Sequence, residues 1–307
     1  MSNSRVPAML IVVLLVVLGI LLFTRLQGLN KEIEAAPALA RDKTNLHAAA
    51  QAGDAAAIQK ELAAGADVNA EWDASGGKRG LTPLMLASLS GKPDAVQAVL
   101  AAKPNVRIRA TEGQTALLYA AGWGNAATLR LLLDAGASPD ARSDDGRTAL
   151  MLAASRGPAE NVALLLERGV DAKARNKWGQ AAIHLAVQSG SADKVRLLLN
   201  SGADPSVPDD SGATPLHLAA AHEAPGLQLL HALLEAKADP NRSDRDGVTP
   251  LMKAADLADE ERAAALLAAG ASPKAKDNSG RDAAAWARQR DDEPGRALAA
   301  ILEAAAK

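Results

Sequence analysis

Apolar residues fall along the 307-residue chain in two regimes. In the first, Ala8 to Phe23 read AMLIVVLLVVLGILLF, and no charged residue occurs between Val6 and Thr24. A bilayer core takes about 20 apolar residues in a helix, so this pattern predicts a single membrane-spanning helix over 6–25 behind a short tail, 1–5. A cleaved leader would carry a small-x-small site close behind the apolar run. Here Phe23-Thr24-Arg25-Leu26-Gln27 follows, and Ala-x-Ala first appears at Ala38-Leu39-Ala40, so an uncleaved signal anchor is expected. Arg5 lies on one side and Arg25 and Lys31 on the other, so positive charge does not set the orientation. The brevity of the tail places it in the cytoplasm and the rest of the chain outside, in the periplasm if the chain is bacterial, with the reverse orientation as the alternative. Residues 26–40 carry mixed charge and no periodic apolar face, as befits a stalk.

In the second regime short apolar blocks recur. A motif of the form Thr-Pro-Leu-x-x-Ala begins at Thr44, Thr82, Thr115, Thr148, Ala181, Thr214, Thr249 and Asp282, at spacings of 38, 33, 33, 33, 33, 35 and 33. Each block is followed by a Leu-rich stretch, such as Leu131-Leu132-Leu133 or Leu164-Leu165-Leu166, which ends near a glycine. Threonine caps a helix by accepting a backbone N–H bond, and Pro83, Pro215 and Pro250 then stand where a missing N–H costs nothing. Leu84 and Ala87 share a helix face on which small alanine admits a neighbouring helix. Gly65, Gly136, Gly169, Gly202 and Gly270 end the second helices, and Gly80, Gly113, Gly146, Gly179, Gly212, Gly247 and Gly280 close a turn two residues before each motif after the first.

TPLMLASLSG, TALLYAAGWG and TPLHLAAAHE, at this period, resemble the ankyrin repeat. The resemblance spans 41–307 and implies an all-α ankyrin-repeat solenoid of helix-turn-helix units joined by β-hairpin fingers, about eight in number, behind the transmembrane helix. The units lie near 41–79, 80–110, 111–143, 144–176, 177–208, 209–243, 244–276 and 277–307. Lys103 and Lys237 replace the helix-ending glycine and predict strained helix ends. Extra residues lengthen the first finger around 71–78 and the sixth inter-helix turn near 222–226, and the terminal units are expected to cap the stack.

Composition narrows the chemistry. Seventy-one alanines against six aromatics require a core packed from Ala, Leu and Val. A formal charge of −2 offers no field for nucleic acid, and the absence of cysteine removes disulfides and thiolate chemistry. His47, His184 and His217 share the fourth motif position, where the resemblance implies structural hydrogen bonds between repeats. Asp244-Arg245-Asp246-Gly247 lacks the closing glutamate of a calcium loop, and Asp209-Asp210-Ser211-Gly212 lacks a nucleophile elbow. No catalytic residue, metal, cofactor or small-molecule substrate is therefore expected, and an enzyme or receptor site around His222 and His231 is disfavoured.

The resemblance implies a protein partner bound in a groove lined by fingers and first-helix edges. That register places Glu112, Gln114 and Trp123 on the groove from the third unit, then Asp144, Asp145, Arg147 and Arg156 from the fourth. Lys177, Trp178 and Gln180 follow from the fifth unit, and Asp210 and His222 from the sixth. Trp123, Arg156 and Trp178 are the central candidates, because Trp and Arg dominate binding hot spots. The alternatives are a Trp123 folded over its own turn and a Trp178 that only covers a finger. Tyr119 replaces a motif leucine and is expected in the core. The function expected is a membrane-tethered interaction module. An immunity or inhibitor protein acting on a toxin or envelope enzyme is the alternative, and a structural envelope subunit or ligand receptor stands behind both.

Overall fold

The computed structural model describes residues 45–72, 80–222 and 226–307. The expected anchor and stalk, the tip of the first finger and the centre of the sixth inter-helix turn lie outside these residues. Among the described residues no helix is long and apolar enough to cross a membrane.

Sixteen α-helices follow one another in pairs among the described residues: α1 (Asn45–Ala52) and α2 (Ala55–Ala63), α3 (Pro83–Ser90) and α4 (Pro93–Ala101), α5 (Ala116–Trp123) and α6 (Ala126–Asp134), α7 (Ala149–Ser155) and α8 (Ala159–Glu167). They continue as α9 (Ala182–Gln188) and α10 (Ala192–Asn200), α11 (Pro215–Ala221) and α12 (Gly226–Glu235), α13 (Pro250–Asp256) and α14 (Glu260–Ala268), α15 (Ala283–Arg288) and α16 (Glu293–Ala305). Odd-numbered helices stack on one another, even-numbered helices form a second layer, and each pair packs internally. This is a solenoid in which every unit touches its neighbours.

The two layers differ in how their residues are used. In α7 every residue from Ala149 to Ala154 is buried, because the helix is sandwiched between α5, α8 and α9. Only small and aliphatic side chains permit that approach on all sides. In α6 burial is confined to Thr128, Leu129 and Leu132, and the opposite side faces solvent. The first helices open as their sequence predicts: Thr82, Thr115, Thr148 and Thr249 each accept a bond from the backbone N–H three residues on, at 3.3–3.4 Å.

The second helices end in the left-handed region. Gly65, Gly136, Gly169, Gly202 and Gly270 have φ between 72° and 90°, and a Cβ at any of them would meet nothing within 4 Å. Backbone conformation alone selects glycine there. Lys103 (φ 53°) and Lys237 (φ 65°) therefore replace it without a clash and bear only the left-handed strain, as the sequence predicts. At Gly212 (φ 84°) space is also limiting, since a Cβ would stand 2.8 Å from the Arg245 amide nitrogen of the next finger.

The fingers depart from the expected β-hairpins. They are hydrogen-bonded turns, and the described residues include only two isolated antiparallel bridges, Trp72 with Leu81 and Arg142 with Thr148. Each turn is too short to sustain a ladder.

Candidate functional site

The fingers owe their shape to one acceptor side chain. Asn176, Asp209, Asp244 and Asp277 each accept the N–H groups two and four residues on, at 2.8–3.0 Å. The Asp244 carboxylate of the calcium-like segment is thus engaged within its own turn. Ala110 occupies the equivalent position one finger before Ser143 and has no acceptor to offer. Its finger contains the 3₁₀ turn Thr111–Gly113, with Glu112 at φ 63°. Successive fingers are joined by single backbone bonds: Asp144 N–H to Glu112 O, Lys177 N–H to Asp145 O, Asp210 N–H to Trp178 O, Arg245 N–H to Ser211 O and Asn278 N–H to Asp246 O, at 2.8–3.0 Å. This registers the finger tips as one continuous edge.

Against that edge lie two aromatic–guanidinium pairs, Trp123 with Arg156 and Trp178 with Arg147. Tyr119 and Trp123, one turn apart on α5, have ring centroids 6.0 Å apart. Arg156, the residue that ends α7, holds its guanidinium carbon 5.0 Å from the centre of the Trp123 ring. Arg147, on the preceding finger, sits 5.4 Å from the Trp178 ring and pairs with Asp145 at 2.9 Å. Burial and the nearby positive charge of Arg147 push the Arg156 guanidinium down from its ordinary pKa, against the opposing influence of Asp145 and Glu112. The two pairs stand near enough that the Arg147 charge, stacked on Trp178, acts on Arg156 over Trp123.

Other predicted residues join them. A shallow depression of about 410 Å³ brings Arg147, Lys177, Trp178, Gln180 and Asp210 together with Asp209. Trp178 is 49% exposed there, while Trp123 is half-buried beneath Arg156. Asp144 is engaged sideways with Arg109 at 2.8 Å. Gln114 and His222 are not brought into either pair. Gln114 is half-buried, with Oε1 shielded and unbonded, and His222 follows α11 with Nε2 3.4 Å from the Gln188 carbonyl. Tyr119 corrects an expectation: it is half-buried rather than core, as are Leu218, Lys253 and Trp286 at the same motif position, whereas Leu86, Leu152 and Leu185 at that position are buried.

The repeated histidines are built into the stack. His217 Nδ1 accepts the Thr214 N–H at 3.1 Å, and Nε2 faces the Val248 carbonyl of the next finger at 3.0 Å. His47 Nε2 stands 3.0 Å from the Ala70 carbonyl, and His184 Nδ1 accepts the Ala181 N–H at 3.1 Å. Among the described residues no group of three His, Cys, Asp or Glu could hold a metal ion.

A model of three ankyrin repeats matches residues 46–143, 101–176, 135–209 and 168–243, and a model of the single ankyrin repeat matches 246–278. These matches cover well over half of the chain, which belongs to the ankyrin repeat family. Among solved structures it is similar to the human ASB11 ankyrin repeat domain, with 26% identity and a TM-score of 0.66 over 75% of this chain and 99% of that one. No curated protein sequence matches it. Ankyrin repeats are in general non-enzymatic scaffolds for protein–protein interaction, and the chain is an interaction module of this class.

Proposed function

We propose that the chain is a membrane-tethered module that captures a protein partner across the fingers and first-helix ends of its third to sixth units. The observation that carries this reading is the two stacked pairs, Trp123 with Arg156 and Trp178 with Arg147. Each indole contacts the neighbouring unit through one guanidinium and lies outside the buried core, and Trp178 in particular presents flat, weakly hydrated surface of the kind that dominates interface energetics. Glu112, Asp144, Lys177, Gln180 and Asp210 form a polar surround. Trp123→Ala combined with Trp178→Ala is expected to abolish partner capture while shifting the melting temperature by less than about 4 °C. In vivo crosslinking followed by mass analysis of wild type against variant measures the first, and thermal unfolding the second. Undiminished capture by the double variant defeats the assignment of this face.

The tether rests on the uncharged stretch from Val6 to Thr24. Confinement to a bilayer surface raises the effective concentration of the module for a partner on the same membrane. Reporters active only outside or only inside the cytoplasm, fused after Lys307, are expected to register an external terminus. A cytoplasmic signal reverses the orientation and moves the partner to the inner face.

A further inference from the structure

Arg156 differs from the other guanidiniums around it. Arg109 pairs with Asp144, Arg147 with Asp145 and Arg168 with Asp134, each within 2.9 Å. Arg142 and Arg175 donate to backbone carbonyls of the following units. The Arg156 side chain has neither an ion pair nor a hydrogen bond among the described residues, yet it is held over Trp123. Stacking uses the planar face of a guanidinium and leaves its N–H edge free to bind a carboxylate through two parallel bonds. The adjoining surface is mixed in charge: Lys177 stands with Asp209 and Asp210 around Trp178, and Glu112 and Asp145 act on Arg156 from the finger side. A polyanion such as nucleic acid or an anionic bilayer would meet these carboxylates as it approached. The surface offers one unmatched donor edge and, beyond Arg147, one exposed indole face.

We propose that Arg156, laid over Trp123, seats a single carboxylate of an extended acidic segment of the partner, and that Trp178 takes an apolar side chain of the same segment. This deepens the interaction reading above and rests on it. The partner is thereby specified as a chain that displays an aspartate or glutamate a few residues from an apolar residue. Arg147 stays committed to Asp145 and stacks against the Trp178 ring, so it acts as a positioning residue for the apolar contact.

The test uses the full chain in mild detergent and a phage-displayed library of random nine-residue peptides. Selected peptides are expected to carry Asp or Glu at a fixed offset from an apolar residue, and to lose binding to the Trp123→Ala/Trp178→Ala protein. Their Asn or Gln counterparts should bind the wild type at least about tenfold more weakly, the usual scale for a lost charged hydrogen bond. That difference should vanish on Arg156→Gln, and Arg156→Glu should select Lys or Arg at the same offset. Circular dichroism confirms that each variant is folded. Tryptophan-dependent peptides with no acidic position, or ones that bind Arg156→Gln undiminished, overturn the carboxylate seat and leave the interaction surface standing. Failure to recover any tryptophan-dependent peptide overturns both. A phosphoserine counterpart that binds more than about tenfold better than the glutamate peptide replaces the carboxylate with a phosphate and overturns the seat as stated.

Discussion

Asn161→Leu is expected to lower the unfolding free energy by about 2–4 kcal/mol, although leucine fits the volume and the helix. Asn161 is fully buried in α8, and its Nδ2 lies 3.2, 3.0 and 3.3 Å from the carbonyls of Ala120, Ala121 and Gly124. Those carbonyls belong to the last turn of α5 and the turn after it, where a helix leaves its final C=O groups without i+4 donors. Ala120 O keeps the Gly124 N–H at 2.9 Å, so the Ala121 and Gly124 carbonyls are the ones that rely on the Asn161 amide. An amide has two N–H donors, so two bonds at a time are shared among three acceptors. Each buried acceptor stripped of its donor costs about 1–3 kcal/mol. The buried Oδ1 of Asn161 is itself unbonded, and its removal returns part of that loss. Lys194 performs the same task one unit later, donating from Nζ to the Ala154 carbonyl at 3.2 Å, and burial holds its ammonium below the ordinary lysine range. Because solenoid stability is a sum of units and nearest-neighbour interfaces, the damage falls between the third and fourth units. Urea unfolding followed by helical circular dichroism should show an earlier and broader transition. A change below about 0.5 kcal/mol, the ordinary range for an inconsequential surface substitution, eliminates the staple as a stabilising device.

How far the sequence announces this architecture depends on whether a residue acts within its own unit or across to the next. Thr82, Thr148 and Gly136 act locally, and their roles follow from cap and turn chemistry read at a fixed register. The strain at Lys103 and Lys237 is legible for the same reason: the register marks a position whose backbone angle is known in advance. Asn161 and Lys194 act across units, and a reading of the Leu-rich helices as simple amphipathic segments passes over them. A signal was present, since Thr128, Asn161 and Lys194 stand 33 residues apart at one buried position, with Arg262 there again in α14. A polar column in an otherwise apolar layer implies acceptors to be satisfied in the neighbouring unit. The site divides in the same way. Trp123, Arg156 and Trp178 stand out by residue type, whereas the stacking of Arg147 on Trp178 depends on the relative placement of two fingers. Tyr119 departs from the core expectation because the motif describes the average unit, and its fifth position is closed over in α7 but only half-covered in α5.

Acidification from pH 7.5 to 5 is expected to destabilise the solenoid through His184 and His217. Both rings are buried, and burial is the largest influence that lowers their pKa values below the ordinary histidine range. For His217 the opposing influences are the Val248 carbonyl, Asp244 and Asp209, while Lys253 adds to the lowering. For His184 they are Asp209 and the Val207 and Ala213 backbone, with Arg175 adding to the lowering. Hydrogen bonding states the same preference structurally. An amide N–H can only donate, so the bonds from Thr214 to His217 and from Ala181 to His184 require an unprotonated Nδ1. Protonation ejects that N–H from its acceptor at the first turn of α11 or α9. The unfolded chain takes up these protons near pH 6.5, before the folded chain does, so the stability of the neutral form is complete above that value. It is lost as the pH falls from about 6.5 toward the folded pKa, by up to about 1.4 kcal/mol per pH unit for each histidine. The carboxyls of Asp277 and Asp292 lie below their ordinary values. Burial works to raise Asp277 and is overcome by bonds from Arg281, Ser279 and Trp286, whereas bonds from Arg290 and the Gly295 N–H lower Asp292. Both carboxyls therefore titrate outside this window. Urea unfolding at pH 7.5, 6 and 5 should give a falling free energy for the wild type and a nearly flat one for His184→Gln/His217→Gln, even though the variant starts lower. A flat wild-type profile would show that the two rings accept a proton as readily in the stack as in the unfolded chain.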